Sequence, residues 1–285
     1  MSAEVFWVDG ALAGQIDPRD RGLTLGDGVF DTLVAFRKIP FAGDRHLARL
    51  VDHAGAIGIP VDAEKIRADW RAVLEAASAE HLILRTSATR GVTGRGLGPD
   101  ATPKPTVIVS ATAWSESLLG EQIRLITSNV PRNERSPVSR LKSLAYLDNV
   151  LAAREASEKQ GDDALLLNTA GNVACTTIAN LFAVSGRRLA TPPETDGIMP
   201  GVLRRMVLEV APSLGLDPME ATLARTDIEH ADEVFLTNSV RLIRRVTELD
   251  GGSVGGQNPE ALEALSSALS ERIRAECAYS PRPAK

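Results

Sequence analysis

The sequence has little of what a disulfide-rich, membrane-spanning or nucleic-acid-coating protein needs. Cysteine occurs only twice in 285 residues, at Cys175 and Cys277, so we expect no disulfide framework and a reducing, cytoplasmic location. No apolar run approaches the ~20 residues of a membrane helix, and the start MSAEVFWVDG lacks the basic and apolar regions of a signal peptide. The net charge of −5 argues against a nucleic-acid coat. We therefore expect a cytoplasmic protein with no membrane or nucleic-acid partner.

The motifs of several common enzyme classes are also missing. His46 and His53 fall on one predicted helical face, but no third ligand lies at metal-binding spacing. No Ser-His-Asp order and no Walker-type loop is evident. The Gly-x-Gly-x-Gly spacing at 94–98 does not indicate dinucleotide binding, because Pro99 interrupts it and no helix follows. The sequence thus predicts no metal centre.

The chain does have the size and composition of a two-domain enzyme. Its 285 residues suffice for a substantial core, and 44% hydrophobic and 24% charged residues are typical of a soluble globular protein. Predicted strands and helices alternate along the chain, which favours an α/β or α+β fold. We place an N-terminal α/β domain at 1–112, a connector at 113–121 and a C-terminal α/β domain at 122–285.

Apolar periodicity and turn residues predict the main elements. Asp44 is the expected N-cap of a helix that runs to about residue 57, since apolar side chains recur there at helical spacing. Pro200 and Pro259 suit the first turn of a helix, where the missing N–H costs nothing. Other helices are expected at 62–77 and 143–159, and strands at 5–8, 82–88, 106–111, 123–127, 164–167 and 233–236.

Lys142 is the first candidate for chemistry. Its neighbours Leu141, Leu144 and Leu147 are apolar. Apolar surroundings disfavour the ammonium form, so the pKa of the lysine falls and its amine becomes nucleophilic. An imine-forming lysine needs that property. By residue type alone a solvated lysine at a helix start is the more common case, but the surrounding pattern favours the active one.

Four segments together resemble one enzyme family. Lys142 stands in RLKSLAYLDNVL at 140–151, and ACTTIANLF follows at 174–182. A signature at 20–32 and the helix segment HLARL at 46–50 precede them. In these motifs the chain is similar to the class IV (fold type IV) pyridoxal-phosphate-dependent aminotransferases, a family that includes branched-chain and D-amino-acid aminotransferases and aminodeoxychorismate lyases. The resemblance implies a two-domain fold of the D-amino-acid-aminotransferase type with pyridoxal 5'-phosphate as cofactor.

The resemblance assigns roles to individual residues. Lys142 would form the Schiff base, and Arg49 would grip the cofactor phosphate, for which a forked guanidinium is suited. Tyr146 would bond the phenolic oxygen of the cofactor. Two turns would bind the phosphate, the first at a predicted helix start whose free N–H groups favour an anion. Their cofactor-binding residues are Ile198 and Met199 in the first turn, and Asn238 and Ser239 in the second.

The substrate side of the resemblance mixes two patterns. Phe30 and Arg95 are implied to contact the substrate. In relatives that act on D-amino acids, an arginine and a histidine hold the substrate carboxylate; Arg95 matches the arginine, but Leu97 stands in the histidine's place. The segment RGVTGRG at 90–96 is closer to that of aminodeoxychorismate lyases. The substrate class stays open.

Cys175 stands where the family has a glutamate facing the pyridine nitrogen of the cofactor. A carboxylate keeps that nitrogen protonated by charge pairing; a neutral thiol is less able to do so, whereas a thiolate could. Cys175 can also be interpreted as a small buried residue. Three outcomes are open: transamination with a weaker electron sink helped by Thr176 or Thr177, a preference for elimination, or cofactor binding with little turnover.

The resemblance therefore implies a homodimeric enzyme with small-molecule substrates. The first hypothesis is transfer of an amino group between a branched-chain or D-amino acid and a 2-oxo acid through Lys142. The alternative is an aminodeoxychorismate lyase, which forms 4-aminobenzoate and pyruvate. A third is a cofactor-binding relative with little activity, against which the intact Lys142 argues.

Overall fold

A computed structural model describes residues 4–94, 96–98, 103–120, 122–256 and 259–282 of the chain. Helices and sheets alternate in it, which confirms the predicted α/β class. The chain divides into two units. The first comprises Met1–Ser115, Leu141–Ala145 and Glu276–Tyr279, and the second comprises Glu116–Arg140, Tyr146–Ala275 and Ser280–Lys285. No helix among the described residues has both the length and the apolar composition needed to cross a membrane.

The first unit is a six-stranded antiparallel sheet with helices packed on one face. Its strands lie in the order β2-β1-β6-β5-β3-β4. The strands are β1 (Val5–Val8), β2 (Ala11–Leu12), β3 (Gly28–Phe36), β4 (Ile39–Pro40), β5 (Leu82–Thr89) and β6 (Thr106–Ala113), and the helices are α1 (Arg21–Leu25), α2 (Gly43–Ala56) and α3 (Ala63–Ala76).

Side-chain alternation along β3 and β5 decides which residues face the core of this unit. Val29, Leu33 and Leu84 pack with the apolar faces of α2 and α3 in one core cluster. Because successive side chains of a strand point to opposite faces, Phe30 and Arg85 belong to the other face of the sheet. The two faces of this sheet therefore carry different chemistry.

One expectation for this unit was wrong, and one strand was missed. Asp44 is not the N-cap of α2: the helix begins at Gly43, and the cap position is Ala42, in the left-handed region with φ of 52° and no side-chain cap bond. The long strand β3 was not predicted as a strand. It is buried along almost its whole length, so it lacks the apolar/polar alternation that marks a half-buried strand.

The second unit is built on a nine-stranded mixed sheet. Its main path runs β12-β11-β10-β13-β14-β7-β8-β9, with β15 paired to β14. The strands are β7 (Ile123–Thr127), β8 (Asp163–Leu167), β9 (Val173–Thr176), β10 (Asn180–Ser185), β11 (Arg188–Thr191), β12 (Asp217–Glu220), β13 (Glu233–Asn238), β14 (Leu242–Leu249) and β15 (Gly252–Ser253). The helices are α4 (Leu147–Glu158), α5 (Val202–Val210), α6 (Arg225–Glu229) and α7 (Glu260–Cys277).

Helix starts in the second half of the chain differ from the expectation. The helix predicted from residue 143 begins at Leu147, because the backbone at 143 and 144 is used in strand-like pairing with β3. Pro200 lies before α5, whose N-cap is Gly201, and Pro259 lies just before α7. Both prolines therefore precede their helices rather than occupying the first turn.

Candidate functional site

The segment Leu141–Ala145 extends the edge of the first unit's sheet beside β3. The Phe30 N–H donates to the Lys142 carbonyl at 2.8 Å, and the Leu144 N–H donates to the Gly28 carbonyl, also at 2.8 Å. Val29 and Ser143 form an antiparallel bridge between these two bonds. Backbone pairing with the buried strand thus fixes the position of Lys142.

The Lys142 side chain shares an aromatic ring with an arginine. Its Nζ lies 4.3 Å from the centroid of the Phe30 ring, and the guanidinium carbon of Arg85 lies 3.7 Å from the same centroid. Both cations are at distances where the face of an aromatic ring attracts them. The structure thus brings Lys142 together with Phe30, which was expected to contact the substrate, and with Arg85, for which no role was expected.

The Lys142 amine has an unusually low proton affinity. Burial, together with the positive charges of Arg49 and Arg85, lowers the pKa of Lys142 to about 7 against the opposing effect of Asp31. A large part of the amine is therefore unprotonated near neutral pH. A neutral amine is the nucleophilic form that the sequence-based hypothesis requires.

Asp31 binds two side chains of helix α2, His46 and Arg49. Its carboxylate pairs with His46 Nδ1 at 2.6 Å and accepts from Arg49 at 2.8 Å (Nε) and 3.0 Å (terminal nitrogen). Although burial raises the pKa of Asp31, the charges and hydrogen bonds of Arg49 and His46 hold it well below the ordinary value. The carboxylate is therefore charged, and it fixes the orientation of the Arg49 guanidinium.

His53 completes the same helix face. His46, Arg49 and His53 recur at i, i+3 and i+7 along α2, a spacing that puts them on one side of the helix. The backbone N–H of Lys142 donates to His53 Nδ1 at 3.0 Å. The helical spacing of these side chains is visible in the sequence. Their proximity to Lys142 is not, because Lys142 lies about ninety residues further along the chain.

The turn at 198–201 lies in the second unit, at the start of α5. Ile198 is fully buried, and the Met199 carbonyl accepts from the Asn180 side chain at 3.0 Å. A Cβ on Gly201 would collide with Asn180 Oδ1, so glycine allows the turn to approach the first residue of β10 closely. Backbone N–H groups at the start of a nine-residue helix are thereby presented beside Asn180.

The second predicted turn follows β13. Asn238 Oδ1 accepts from the backbone N–H groups of Val240 and Arg241 at 3.0 and 2.7 Å, which closes the turn around the half-buried Ser239. Thr237, at the end of the same strand, is buried, and its Oγ1 has no hydrogen-bond partner in the described structure. Buried hydroxyls are normally bonded, so this one points to a polar group yet to bind.

Cys175 lies on β9 of the second unit, in an apolar cluster that includes Ile126, Ala164 and Ile198. Burial raises the pKa of the Cys175 thiol to about 11, while Arg132 acts in the opposite direction. The side chain is therefore a neutral thiol at physiological pH, not a thiolate.

The remaining predicted residues are placed as follows. Tyr146 is the N-cap residue of α4, is half-buried and makes no side-chain cap bond. Arg95 lies outside the described residues. Among the described residues, no group of three or more histidine, cysteine, aspartate or glutamate side chains is arranged to hold a metal ion.

Comparison with protein families gives a match over most of the chain. The family described as amino-transferase class IV matches residues 28–249. A Methanocaldococcus jannaschii protein described as a branched-chain-amino-acid aminotransferase is 33% identical over 90% of this chain and 88% of its own length. The aminodeoxychorismate lyase of Bacillus subtilis is 29% identical over 91% and 90% of the two chains. The D-alanine aminotransferase of Bacillus licheniformis is 28% identical over 92% and 93%.

Solved structures with the same fold come from the same enzyme classes. The branched-chain aminotransferase of Thermoproteus uzoniensis with norvaline superimposes with a TM-score of 0.87 at 26% identity, over 96% of both chains. The 4-amino-4-deoxychorismate lyase of Pseudomonas aeruginosa gives a TM-score of 0.83 at 29% identity, over 96% of this chain and all of its own. The fold is thus shared by transferases and lyases.

Proposed function

The chain belongs to the class IV aminotransferase family, whose enzymes use pyridoxal phosphate, and from this premise we propose that it transfers an amino group between an amino acid and a 2-oxo acid. The observation that carries the proposal is the Lys142 amine, which is held on a sheet edge with its pKa lowered to about 7. A lysine in that state is what cofactor attachment and proton transfer both require.

The residues present fit pyridoxal phosphate. In the first unit, the neutral amine of Lys142 would hold the cofactor through its carbonyl group, with loss of water, and the guanidinium of Arg49, oriented by Asp31, suits a phosphate. In the second unit, Thr237 Oγ1 lacks a partner among the described residues, and the start of α5 presents backbone N–H groups. When bound, the cofactor supplies an electron-withdrawing ring that stabilises negative charge at the substrate α-carbon. We also propose the cofactor contacts that the resemblance implies. The phenolic oxygen of the cofactor is assigned to Tyr146, and its phosphate is assigned to the two turns that contain Ile198, Met199, Asn238 and Ser239.

Lys142 would also move the proton. With cofactor and substrate bound, the Lys142 amine would accept the substrate's α-proton at Nζ and later give that proton up. Its pKa near 7 suits both directions, because neither the charged nor the neutral form predominates strongly at neutral pH. The Lys142 Nζ lies 4.3 Å from the centroid of the Phe30 ring, whose face attracts the amine when it is protonated.

Arg85 is the group we assign to a substrate carboxylate. It is a half-buried cation that shares the Phe30 ring with Lys142, and an arginine fork binds carboxylates with two parallel hydrogen bonds. Every amino acid and 2-oxo acid carries such a carboxylate, so Arg85 supports the general reaction rather than one substrate. Arg95 is proposed for the same class of contact by resemblance alone.

We propose branched-chain or D-amino acids as donors, on the strength of the named relatives. Aminodeoxychorismate lyase activity is the second candidate, supported by a relative of that name and by the RGVTGRG wording at 90–96. The neutral state of Cys175 is relevant to the choice between transamination and lyase activity. Because an uncharged thiol does not charge-pair with a protonated ring nitrogen, transamination would proceed with a weaker electron sink.

We further propose a cytoplasmic homodimer. Both cysteines are buried and free, which is the state expected in a reducing compartment. Leu147, Val150 and Leu151 form an exposed apolar stripe on α4, at spacing that puts them on one face. Apolar stripes of this kind are commonly covered by a partner.

A donor panel separates the candidate functions. The holoenzyme is incubated with single amino acids of both configurations and with 2-oxoglutarate or pyruvate, and the new amino acid is measured. Transamination predicts product from branched-chain or D-donors. Lyase activity instead predicts fluorescent 4-aminobenzoate from aminodeoxychorismate with no amino-acid product. Product from neither assay, in a protein that binds the cofactor, would contradict both and leave the low-activity relative. The variant Lys142→Ala is the matched control in each arm.

A further inference from the structure

A hydrogen bond joins the side chain of His53 to the backbone of Lys142. The Lys142 N–H donates to His53 Nδ1 at 3.0 Å, while the Lys142 carbonyl accepts from Phe30 at 2.8 Å. The backbone N–H of Lys142 is thus held by helix α2, and the backbone carbonyl of Lys142 is held by strand β3. An unpaired N–H at this half-buried position would cost free energy.

The bond exists in only one protonation state of the imidazole. An Nδ1 that accepts a hydrogen bond carries no proton, so the neutral ring of His53 has its proton on Nε2. A doubly protonated ring has no acceptor and cannot make the contact. The groups around the ring are Arg49 and Asp52 on α2, Asp31 on β3 and Lys142 itself. Burial and the charges of Arg49 and Lys142 lower the pKa of His53, against Asp31 and Asp52, which favours the neutral state.

We propose that His53 is a positioning residue for Lys142: its Nδ1 fixes the lysine's backbone N–H, and thereby sets where the amine points. The proposal rests on the proposed function in that Lys142 is the reacting group. The backbone contact itself is independent of the reaction, so it can be tested separately. His53 does not touch the amine and acts only through the peptide backbone.

Two matched substitutions distinguish positioning from general packing. In His53→Asn the side-chain oxygen takes the place of Nδ1 and can still accept the bond. In His53→Gln the polar atoms fall nearer to the position of Nε2, so the acceptor is misplaced although the residue is larger and equally polar. A purely structural role predicts that the closer match in size, glutamine, performs at least as well as asparagine.

Amide exchange of the holoenzyme labelled with 15N at lysine and phenylalanine gives the readout. The chain has six lysines, which keeps the spectrum simple. The exchange rate of the Lys142 N–H is taken relative to that of Phe30, which removes the intrinsic effect of pH. We expect His53→Asn to stay close to wild type and His53→Gln to raise this ratio about tenfold, the loss of one hydrogen bond of ordinary strength. In wild type the ratio should also rise as pH falls through the lowered pKa of His53, and this step should vanish in His53→Asn.

Equal ratios in wild type and His53→Gln, or a wild-type ratio that does not change with pH, would overturn the proposal. Thermal unfolding of each variant confirms that it is folded, and asparagine serves as the folded reference if glutamine is not tolerated. The cofactor adduct is mapped on the same samples. If exchange depends on His53 but the cofactor is not attached to Lys142, the proposed function fails while the backbone contact stands.

Discussion

The chemistry of the molecule depends on the proton balance of one amine. Lys142 is surrounded by apolar groups and by the cations Arg49 and Arg85, with Asp31 as the opposing charge. Desolvation is the largest of these effects, so the low proton affinity comes mainly from burial. The sequence predicted this property from the leucines beside the lysine. It did not predict Arg85, because a single arginine in a strand gives no sign of which ring it will meet.

The first prediction concerns the reactivity of Lys142 in the cofactor-free protein. A lysine with its pKa lowered to about 7 is neutral above that pH, so its rate of amine labelling should rise through about pH 7 and then level off. Lys65, which is exposed, is the comparison, and its labelling profile should differ from that of Lys142. The measurement is competitive labelling followed by mass spectrometry of the two peptides. Parallel profiles for Lys142 and Lys65 would contradict the account.

The second prediction concerns Cys175. Burial raises the pKa of its thiol to about 11, so no negative charge is available there at neutral pH. If Cys175 faces the ring nitrogen as proposed, Cys175→Glu should raise the transaminase kcat by about tenfold, equal to about 1.4 kcal/mol of barrier. Cys175→Ser, also neutral, is the control and should leave kcat within about twofold. An unchanged or lower rate in a folded Cys175→Glu protein counts against a limiting electron sink.

At the scale of elements, strand β3 connects the helix face to the lysine segment. On one face of β3, Asp31 forms an ion pair with Arg49 of α2, and on the other face Phe30 contacts the Lys142 amine. The backbone of β3 pairs with residues 142–144. The site of the first unit is therefore built around one strand rather than one loop. This explains why the missed strand prediction mattered: without β3, the connection between Arg49 and Lys142 could not be inferred from periodicity.

The third prediction tests the close packing of β3 against the lysine segment. A Cβ at Gly28 would lie 2.7 Å from the Ala88 carbonyl oxygen and 2.7 Å from Leu144 Cδ1. We expect Gly28→Ala to lower the free energy of unfolding by roughly 1–3 kcal/mol and to weaken cofactor binding. Gly55→Ala in α2 is the matched control, since nothing lies within 4 Å of its Cβ; it should be neutral or stabilising by up to about 1 kcal/mol. Chemical denaturation measures both, and equal stability of the two variants would contradict the packing argument.

Elements with clear periodicity were predictable, and those set by tertiary context were not. The strands at 5–8 and 123–127 match the structure. The helix expected at 62–77 is α3, and Asp62 caps it by accepting from the backbone N–H groups of Glu64 and Lys65. The start of α4 was predicted four residues too early, because pairing with β3 overrides local helix preference at 143–144. Helix propensity is a weak prior against such long-range pairing.

At the scale of the whole molecule, the family and the fold agree with each other. Neither of them determines which reaction the protein catalyses. Relatives with the same fold include transferases and a lyase, so the fold does not decide between them. The cofactor and the family were predictable from motif order, since several weak motifs in one order are specific together. The substrate was not predictable, because relatives with these same motifs include branched-chain and D-alanine aminotransferases and an aminodeoxychorismate lyase.

The fourth prediction concerns assembly. The exposed apolar stripe of Leu147, Val150 and Leu151 on α4 is expected to be covered in the homodimer. Light scattering after size-exclusion chromatography should give twice the chain mass of 30.4 kDa. Val150→Glu should shift the protein toward the monomer, whereas the helix substitution Arg154→Lys, four residues along, should not. A wild-type mass of one chain would contradict the homodimer.

The most direct test of the central claim is to find where the cofactor is attached. The holoprotein, expected to be yellow, is reduced with borohydride, digested and analysed by mass spectrometry. The account predicts that the reduced cofactor remains on the peptide containing Lys142 and that Lys142→Ala retains none. Cofactor fixed on another lysine, or a colourless protein that takes up no added pyridoxal phosphate, would contradict it.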